Sequence, residues 1–185
     1  MTNYNSILAL DPSGNFHEGK GTTGWCIFDC AAMRVVKWGY IEASKFKSME
    51  AYWDAHITLI TKYITKHQNK PGSAGIVIED YLLYGTKAQD QVNSRMETPK
   101  VIGLMQYWCY KNKQEYHMQP ASMVKTRWSN DILSHKDYIR KVEKGFRIPG
   151  LPGILNRHCI DAIRHAVHYA TFSNKVVLKN KNKDR

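Results

Sequence analysis

No stretch of this sequence stays apolar for the roughly 18 residues that a membrane-spanning helix needs. The opening residues, MTNYNSILALDPSG, hold no basic region leading into an apolar stretch, so no secretory signal is expected and the protein reads as soluble. Cysteine is sparse. Cys26, Cys30, Cys109 and Cys159 form no CxxC pair and lie mostly in apolar sequence, which predicts reduced, buried thiols rather than a disulfide framework. No internal repeat is visible. Acids are also few, with 16 Asp and Glu against 27 Lys and Arg, a net charge of +11. That surplus favours a polyanionic partner, either nucleic acid or an acidic membrane surface. The 185 residues, 43% of them hydrophobic, suffice for one domain with a sizeable core and leave little room for two.

Ile7-Leu8-Ala9-Leu10 is a short apolar run stopped by Pro12 and Gly14, which predicts a buried strand ending on Asp11. After a polar loop at 15–21, Thr22 to Phe28 and Val35 to Ile41 read as two further strands, and their brief links predict consecutive hairpins. At 48–67 the period changes. Met49, Tyr52, Trp53, His56, Leu59, Ile60 and Tyr63 recur every three or four residues, marking a helix with one apolar face, capped by Ser48 and closed by Pro71-Gly72. Gly75 to Glu79 is another buried strand ending on an acid, and the long link through the helix predicts that it runs parallel to the first. A helix is expected over 99–112, a short strand at 116–118, partly helical basic sequence over 121–145, a loop over 146–155 and a last helix over 157–172. The order predicts an α/β fold of five strands in a mixed sheet, helices on both faces, within one domain at 1–174 and a flexible basic tail at 175–185.

Two buried strands thus end in acids, Asp11 and Glu79, and a third acid, Asp161, sits inside the apolar sequence CIDAIRHAVHYA. A buried carboxylate is costly unless a cation or hydrogen-bond donor meets it. If the two strands are parallel neighbours, Asp11 and Glu79 enter one crevice at the C-terminal edge of the sheet, where open α/β sheets place their ligands. Three converging carboxylates make a hard, oxygen-rich site suited to Mg²⁺ or Mn²⁺. His158, three residues before Asp161, shares its helix face. A histidine and three acids can hold two divalent ions about 4 Å apart, a pair able to activate water and stabilise the leaving oxygen of a phosphodiester. With the positive surplus to hold nucleic acid, the pattern predicts a metal-dependent nuclease. Each acid also has an ordinary reading: Asp11 as a turn former, Glu79-Asp80 as a solvated strand end, Asp161 as an ion-pair partner of Arg157 or Arg164. His165 and His168 extend the same face and read mainly as packing or support. A zinc site of His158, Asp161 and His165 would lack a softer ligand.

The ordered set ILALDPSG, GTTGWCIFD, IVIED, PKVIGLMQYW, HMQPASMVK and HCIDAIRHA resembles the RuvC-type Holliday-junction resolvases of the RNase H-like superfamily, most of all the shorter, divergent versions carried by bacteriophages. The resemblance covers most of residues 5–172. It implies an RNase H-like fold, with Asp11, Glu79, His158 and Asp161 as catalytic metal ligands for two Mg²⁺ ions, Mn²⁺ substituting. His158 stands where many relatives carry another acid. Lys125 and, by its spacing eleven residues later, Lys136 match family lysines that hold the scissile phosphate and neutralise developing charge, with plain surface charge as the ordinary reading of both. The implied reaction is paired hydrolysis of branched DNA, chiefly four-way junctions, by a homodimer in the cytoplasm (of the host, if the protein is viral) with no membrane role. Tyr81 or Tyr84 would stack on an unpaired base, and Lys87, Lys125, Arg127 and Lys136 would contact DNA. Lys111, Lys113, Lys141, Arg147 and the tail would add backbone contacts. The apolar, aromatic helix Val101–Tyr110 is the candidate dimer interface, with simple core packing as its ordinary alternative. Two features depart from the family pattern: a longer loop from Phe16 to Gly21, and Leu82 where an aromatic is usual. The alternatives are an RNase H acting on RNA–DNA hybrids and a catalytically silent module binding branched DNA. An actin-like ATP-binding protein would need two such domains, for which 185 residues leave no room.

Overall fold

Ile7, Leu8, Ala9 and Leu10 are all fully buried, and the strand they form is the axis of the fold. The computed structural model describes residues 4–67, 74–81 and 95–173. In it β1 (Ser6–Asp11) lies between β2 (Thr22–Asp29), antiparallel, and β4 (Ala74–Asp80), parallel. β3 (Arg34–Glu42) pairs antiparallel with β2, and β5 (Tyr116–Pro120) runs parallel to β4, so the order is β3-β2-β1-β4-β5. The predicted hairpins and the parallel pairing of the two acid-ending strands are both present.

Alternation along the central strands divides the core in two. Leu8, Leu10, Ile76 and Ile78 face α1 (Met49–His67) and α2 (Glu97–Lys111). Ile7, Ala9, Cys26, Phe28 and Val77 face the other layer, made of α3 (Ala121–Arg127), α4 (Asn130–His135) and α5 (Arg157–Phe172). Each large aliphatic side chain fully buried in this way contributes about 2 kcal/mol. All four cysteines are buried and none forms a disulfide, as their surroundings predict.

The sequence expectations need correction after β4. The second helix begins at Glu97 rather than Pro99, because the side chains of its first two residues are engaged elsewhere. Glu97 accepts the Phe16 amide (2.5 Å) and pairs with His17, while the Thr98 hydroxyl accepts the Gly14 amide (2.9 Å). A Cβ on Gly14 would lie 2.1 Å from the Glu97 carbonyl carbon, so only glycine permits this docking. The long loop that departs from the family pattern is therefore packed against the start of α2. In the basic segment, α3 and α4 are followed by a separate hairpin, β6 (Arg140–Val142) and β7 (Gly145–Arg147), where helix and loop are expected. No apolar alternation marks that hairpin. It is fixed by Gly145 at φ +130° and by Leu155, whose amide donates to the Phe146 carbonyl (2.8 Å). Among the described residues, no helix is long and apolar enough to cross a membrane.

The turn after Asp11 is held from two elements. The Ser13 amide donates to the Thr23 hydroxyl (3.1 Å), and the Tyr52 hydroxyl donates to the Ser13 carbonyl (2.6 Å). Thr23 donates in turn to His56 Nε2 (2.8 Å), whose Nδ1–H donates to the Tyr52 carbonyl (2.7 Å). A carbonyl can only accept, which fixes this neutral tautomer. Burial pushes His56 down to about 4, partly opposed by the Tyr52 hydrogen bond. Between the ordinary histidine value and about 4, the unfolded chain binds a proton that the folded chain does not, so stability is lost as pH is lowered across that window. The expected loss at His56 is about 3 kcal/mol. Urea unfolding at several pH values should show it for the wild type and a shallower slope for His56→Gln; equal slopes would contradict this role.

Candidate metal centre

Asp11 is the last residue of β1, and Glu79 is the next-to-last of β4, where Leu10 pairs with Ile78. Parallel pairing therefore delivers both acids to one edge of the sheet. Asp161 comes from α5, which crosses β1, β2 and β4. That approach depends on Gly24, opposite Asp11 in β2: a Cβ there would lie 2.1 Å from the His158 carbonyl carbon. The helix is capped by Asn156, whose side chain accepts the Cys159 amide (2.8 Å).

Among the described residues, one group can hold a metal ion: Asp11, Glu79 and Asp161 each offer an oxygen, all within 4.8 Å of one another. Asp11 and Asp161 are 5% and 2% exposed. Hard oxygen donors so close, with little water around them, fit a divalent cation such as Mg²⁺ or Mn²⁺.

Cationic and N–H groups surround the acids. His158 Nδ1–H donates to Asp11 Oδ2 (2.6 Å). Lys125, on α3, places its ammonium between Glu79 Oε1 (3.2 Å) and Asp161 Oδ2 (3.0 Å). Arg164 pairs with Asp161 Oδ1 and donates also to the Trp128 carbonyl (2.8 Å) and to Asn130 (2.6 Å). His165 Nε2 meets Glu79 Oε2 (2.9 Å). Of the two arginines flanking Asp161, Arg164 is thus the partner. His168 accepts from Trp128 Nε1–H (3.3 Å).

These surroundings set the proton affinities. Burial pushes Asp11 up to about 6; the His158 hydrogen bond opposes this, and the charges of Glu79 and Asp161 add to it. Burial also raises Glu79, but the hydrogen bond from His165 and the Lys125 ammonium outweigh it and hold that carboxyl below its ordinary value. Lys125 is lowered by burial and raised more by the acids around it, so it stays charged. The bond to Asp11 raises His158 above its usual value.

The structure thus brings together Asp11, Glu79, Asp161, His158 and Lys125. It does not bring Lys136. That residue follows α4, is exposed, and lines a cavity with Met33, Arg34, Val35 and Val36. Arg34 pairs with Asp29, and Asp29 with Ser6, so this cavity lies at the far end of β1, roughly 15 Å from Asp11 at strand spacing. The eleven-residue spacing misleads because the chain is tied to Arg164 at Trp128 and Asn130 before α4 carries it away. Arg127 is exposed, its guanidinium 4.5 Å from the Phe172 ring centre. Tyr81 is half-buried against the α1–α2 core, while Tyr84, Lys87 and the tail at 175–185 lie outside the described residues. The zinc set is not assembled, since the ring nitrogens of His165 face Glu79 and Gln119. Gln119 itself carries no signal in the sequence.

No family model matches the sequence, and no curated protein matches it. Solved structures do. Thermus thermophilus RuvC in complex with a Holliday junction substrate aligns with a TM-score of 0.62 over 94% of this chain and 98% of its own, at 10% identity. A second Thermus thermophilus RuvC structure gives 0.58 over 91% and 95%, also at 10% identity. The fold is the RNase H-like mixed sheet of RuvC, with helices on both faces.

Because the fold favours protonated Asp11, its contribution to stability is present below pH 3.8 and is lost as pH rises through about 6. Above that, the buried anion burdens the metal-free protein. At pH 8.5 in EDTA, Asp11→Asn should be more stable than wild type by on the order of 2 kcal/mol in urea unfolding. Added Mg²⁺ should stabilise the wild type and not the variant.

Proposed function

We propose that this protein is a divalent-metal-dependent endonuclease that resolves four-way DNA junctions, and cuts related branched DNA, by paired phosphodiester hydrolysis. The observation that carries this reading is the convergence of Asp11, Glu79 and Asp161, from two strands and a helix, within 4.8 Å. Asp11, Glu79 and Asp161 would hold a Mg²⁺ ion, and His158, already against Asp11, would join them for a second. Ions bound there supply positive charge to the phosphodiester and make a water more acidic. Mn²⁺ has the same preference for oxygen ligands and would substitute.

The chain's own groups complete the chemistry. Lys125 is a third exposed at the rim of the cluster, where its ammonium can meet a phosphate oxygen and offset the charge that grows on it. Lys136, displaced from the acids, retains only the role of an exposed contact to the DNA backbone. Arg127, Lys111, Lys113, Lys141 and Arg147 are exposed as well and suit the same sequence-independent attraction. The fold it shares with a protein solved on a Holliday junction favours branched DNA over other polyanions.

Two matched cuts require two active sites, hence a homodimer. The helix at 101–110 is only partly available for this. Val101, Ile102, Met105 and Cys109 are buried in the chain's own core, whereas Gly103, Tyr107 and Tyr110 face outward, the two tyrosines 60% and 76% exposed. We place the dimer contact on that outer face. Tyr110→Glu should shift sedimentation toward monomer and leave the unfolding midpoint of the monomer unchanged.

The decisive experiment presents purified protein with junction, fork, flap, RNA–DNA hybrid and duplex in Mg²⁺, Mn²⁺ or EDTA. Symmetric cutting of the junction is expected with either metal and none in EDTA. Asp11→Asn, Glu79→Gln and Asp161→Asn should each abolish cutting and leave junction binding largely intact. Wild-type rates in any of the three would falsify the site. Preference for the hybrid would support the RNase H alternative, and binding without cutting the silent module.

A further inference from the structure

Each carboxylate of the cluster has one oxygen held from behind. His158 holds Asp11 Oδ2, Arg164 holds Asp161 Oδ1, and His165 holds Glu79 Oε2. His165 differs from the other two in being completely buried and in joining two strands at once. Its Nε2 lies 2.9 Å from Glu79 Oε2, and its Nδ1 lies 2.9 Å from the side-chain amide of Gln119. Gln119 is itself buried, and is the register partner of Glu79 across the β4–β5 pair. A strand residue and its direct neighbour therefore share one imidazole delivered by the helix above them.

The spacing on α5 gives this contact its meaning. His165 follows Asp161 by four residues, so the two side chains lie on one helix face, a turn apart. One turn of helix thus supplies an acid of the cluster directly and fixes a second acid through the imidazole. Glu79 has three side-chain torsions and is the longest and most mobile of the three acids. With Oε2 tied to His165, Oε1 is left to the Lys125 ammonium, which also meets Asp161. Both ring nitrogens of His165 are spent on Glu79 and Gln119, so neither remains for an ion.

We propose that His165 is a positioning residue of the metal centre, holding Glu79 so that its other oxygen, Oε1, is presented to a bound cation, with Gln119 fixing the orientation of the ring. This rests on the reading of the acids as a metal centre. Hydrogen bonds that orient a metal-binding side chain typically change metal affinity by about 10–100-fold when removed.

The test measures Mn²⁺ binding to the full chain without DNA, by titration calorimetry and by the loss of the free Mn²⁺ paramagnetic resonance signal. His165→Phe should weaken binding about 10–100-fold. His165→Gln, which keeps an N–H donor, should recover most of it. In a Glu79→Gln background, His165→Phe should cause no further loss, because the group it positions is already gone. Thermal unfolding of the metal-free variants records any purely structural cost separately. If His165→Phe does not fold, Gln119→Met frees the ring while leaving the histidine in place. It should then give a smaller loss of Mn²⁺ affinity that likewise disappears with Glu79→Gln. Undiminished Mn²⁺ affinity in the folded variant, or an equal loss with and without Glu79→Gln, would overturn the role of His165 alone. A wild type that binds no Mn²⁺ would overturn the metal centre and this inference with it.

Discussion

Mutual repulsion among three desolvated carboxylates is the constraint around which this structure is arranged. At separations within 4.8 Å, each pair of unit charges repels by about 3 kcal/mol even at a generous effective dielectric, and burial removes the water that would otherwise solvate them. Lys125 and Arg164 are permanent cations, so three acids against two leave one negative charge uncompensated. The pair Asp11–His158 takes up the difference: burial raises the one and the hydrogen bond raises the other, so both hold a proton more readily than usual. A cluster in that condition suits a divalent cation, and it also explains why so many basic side chains converge on it.

The backbone is shaped to bring these groups together. Parallel pairing of β1 and β4 sets Asp11 and Glu79 at one sheet edge, and the glycine opposite Asp11 lets α5 approach closely enough for His158 and Asp161 to meet them. The same helix carries Arg164 and His165, one on each side of the acid group. Beneath the site, the turn after Asp11 is secured by Thr23, Tyr52 and His56, whose hydrogen bonds are all internal.

Some of the surrounding network was readable in advance and some was not. The acids were legible because a carboxylate ending a run such as LALD or IVIE breaks the apolar pattern, and such a break needs a cause. The hairpins, the parallel strand and the amphipathic helix at 49–67 followed from period and link length. The supporting partners were less accessible. Gln119 looks like any polar residue near a strand end, and only its register opposite Glu79 gives it significance. Glu97 looks like a solvated helix start, yet it is buried against the loop at Phe16 and His17. Lys136 illustrates the opposite case: it matches by its interval along the chain, yet it follows α4 and lines a cavity with Met33 to Val36, away from the acids. The hairpin at 140–147 carried no alternation to announce it.

Periodicity and the placement of charged residues in apolar runs are local properties, and they alone determined the α/β order, the identity of the three acids and the basic character of the chain. Which residues stand behind those acids was decided by strand register, by the close approach at Gly24 and by the phase of α5. These depend on contacts between segments more than a hundred residues apart, such as His158 with Asp11, and no interval in the sequence encodes the distance between side chains that meet only when the sheet and helix pack.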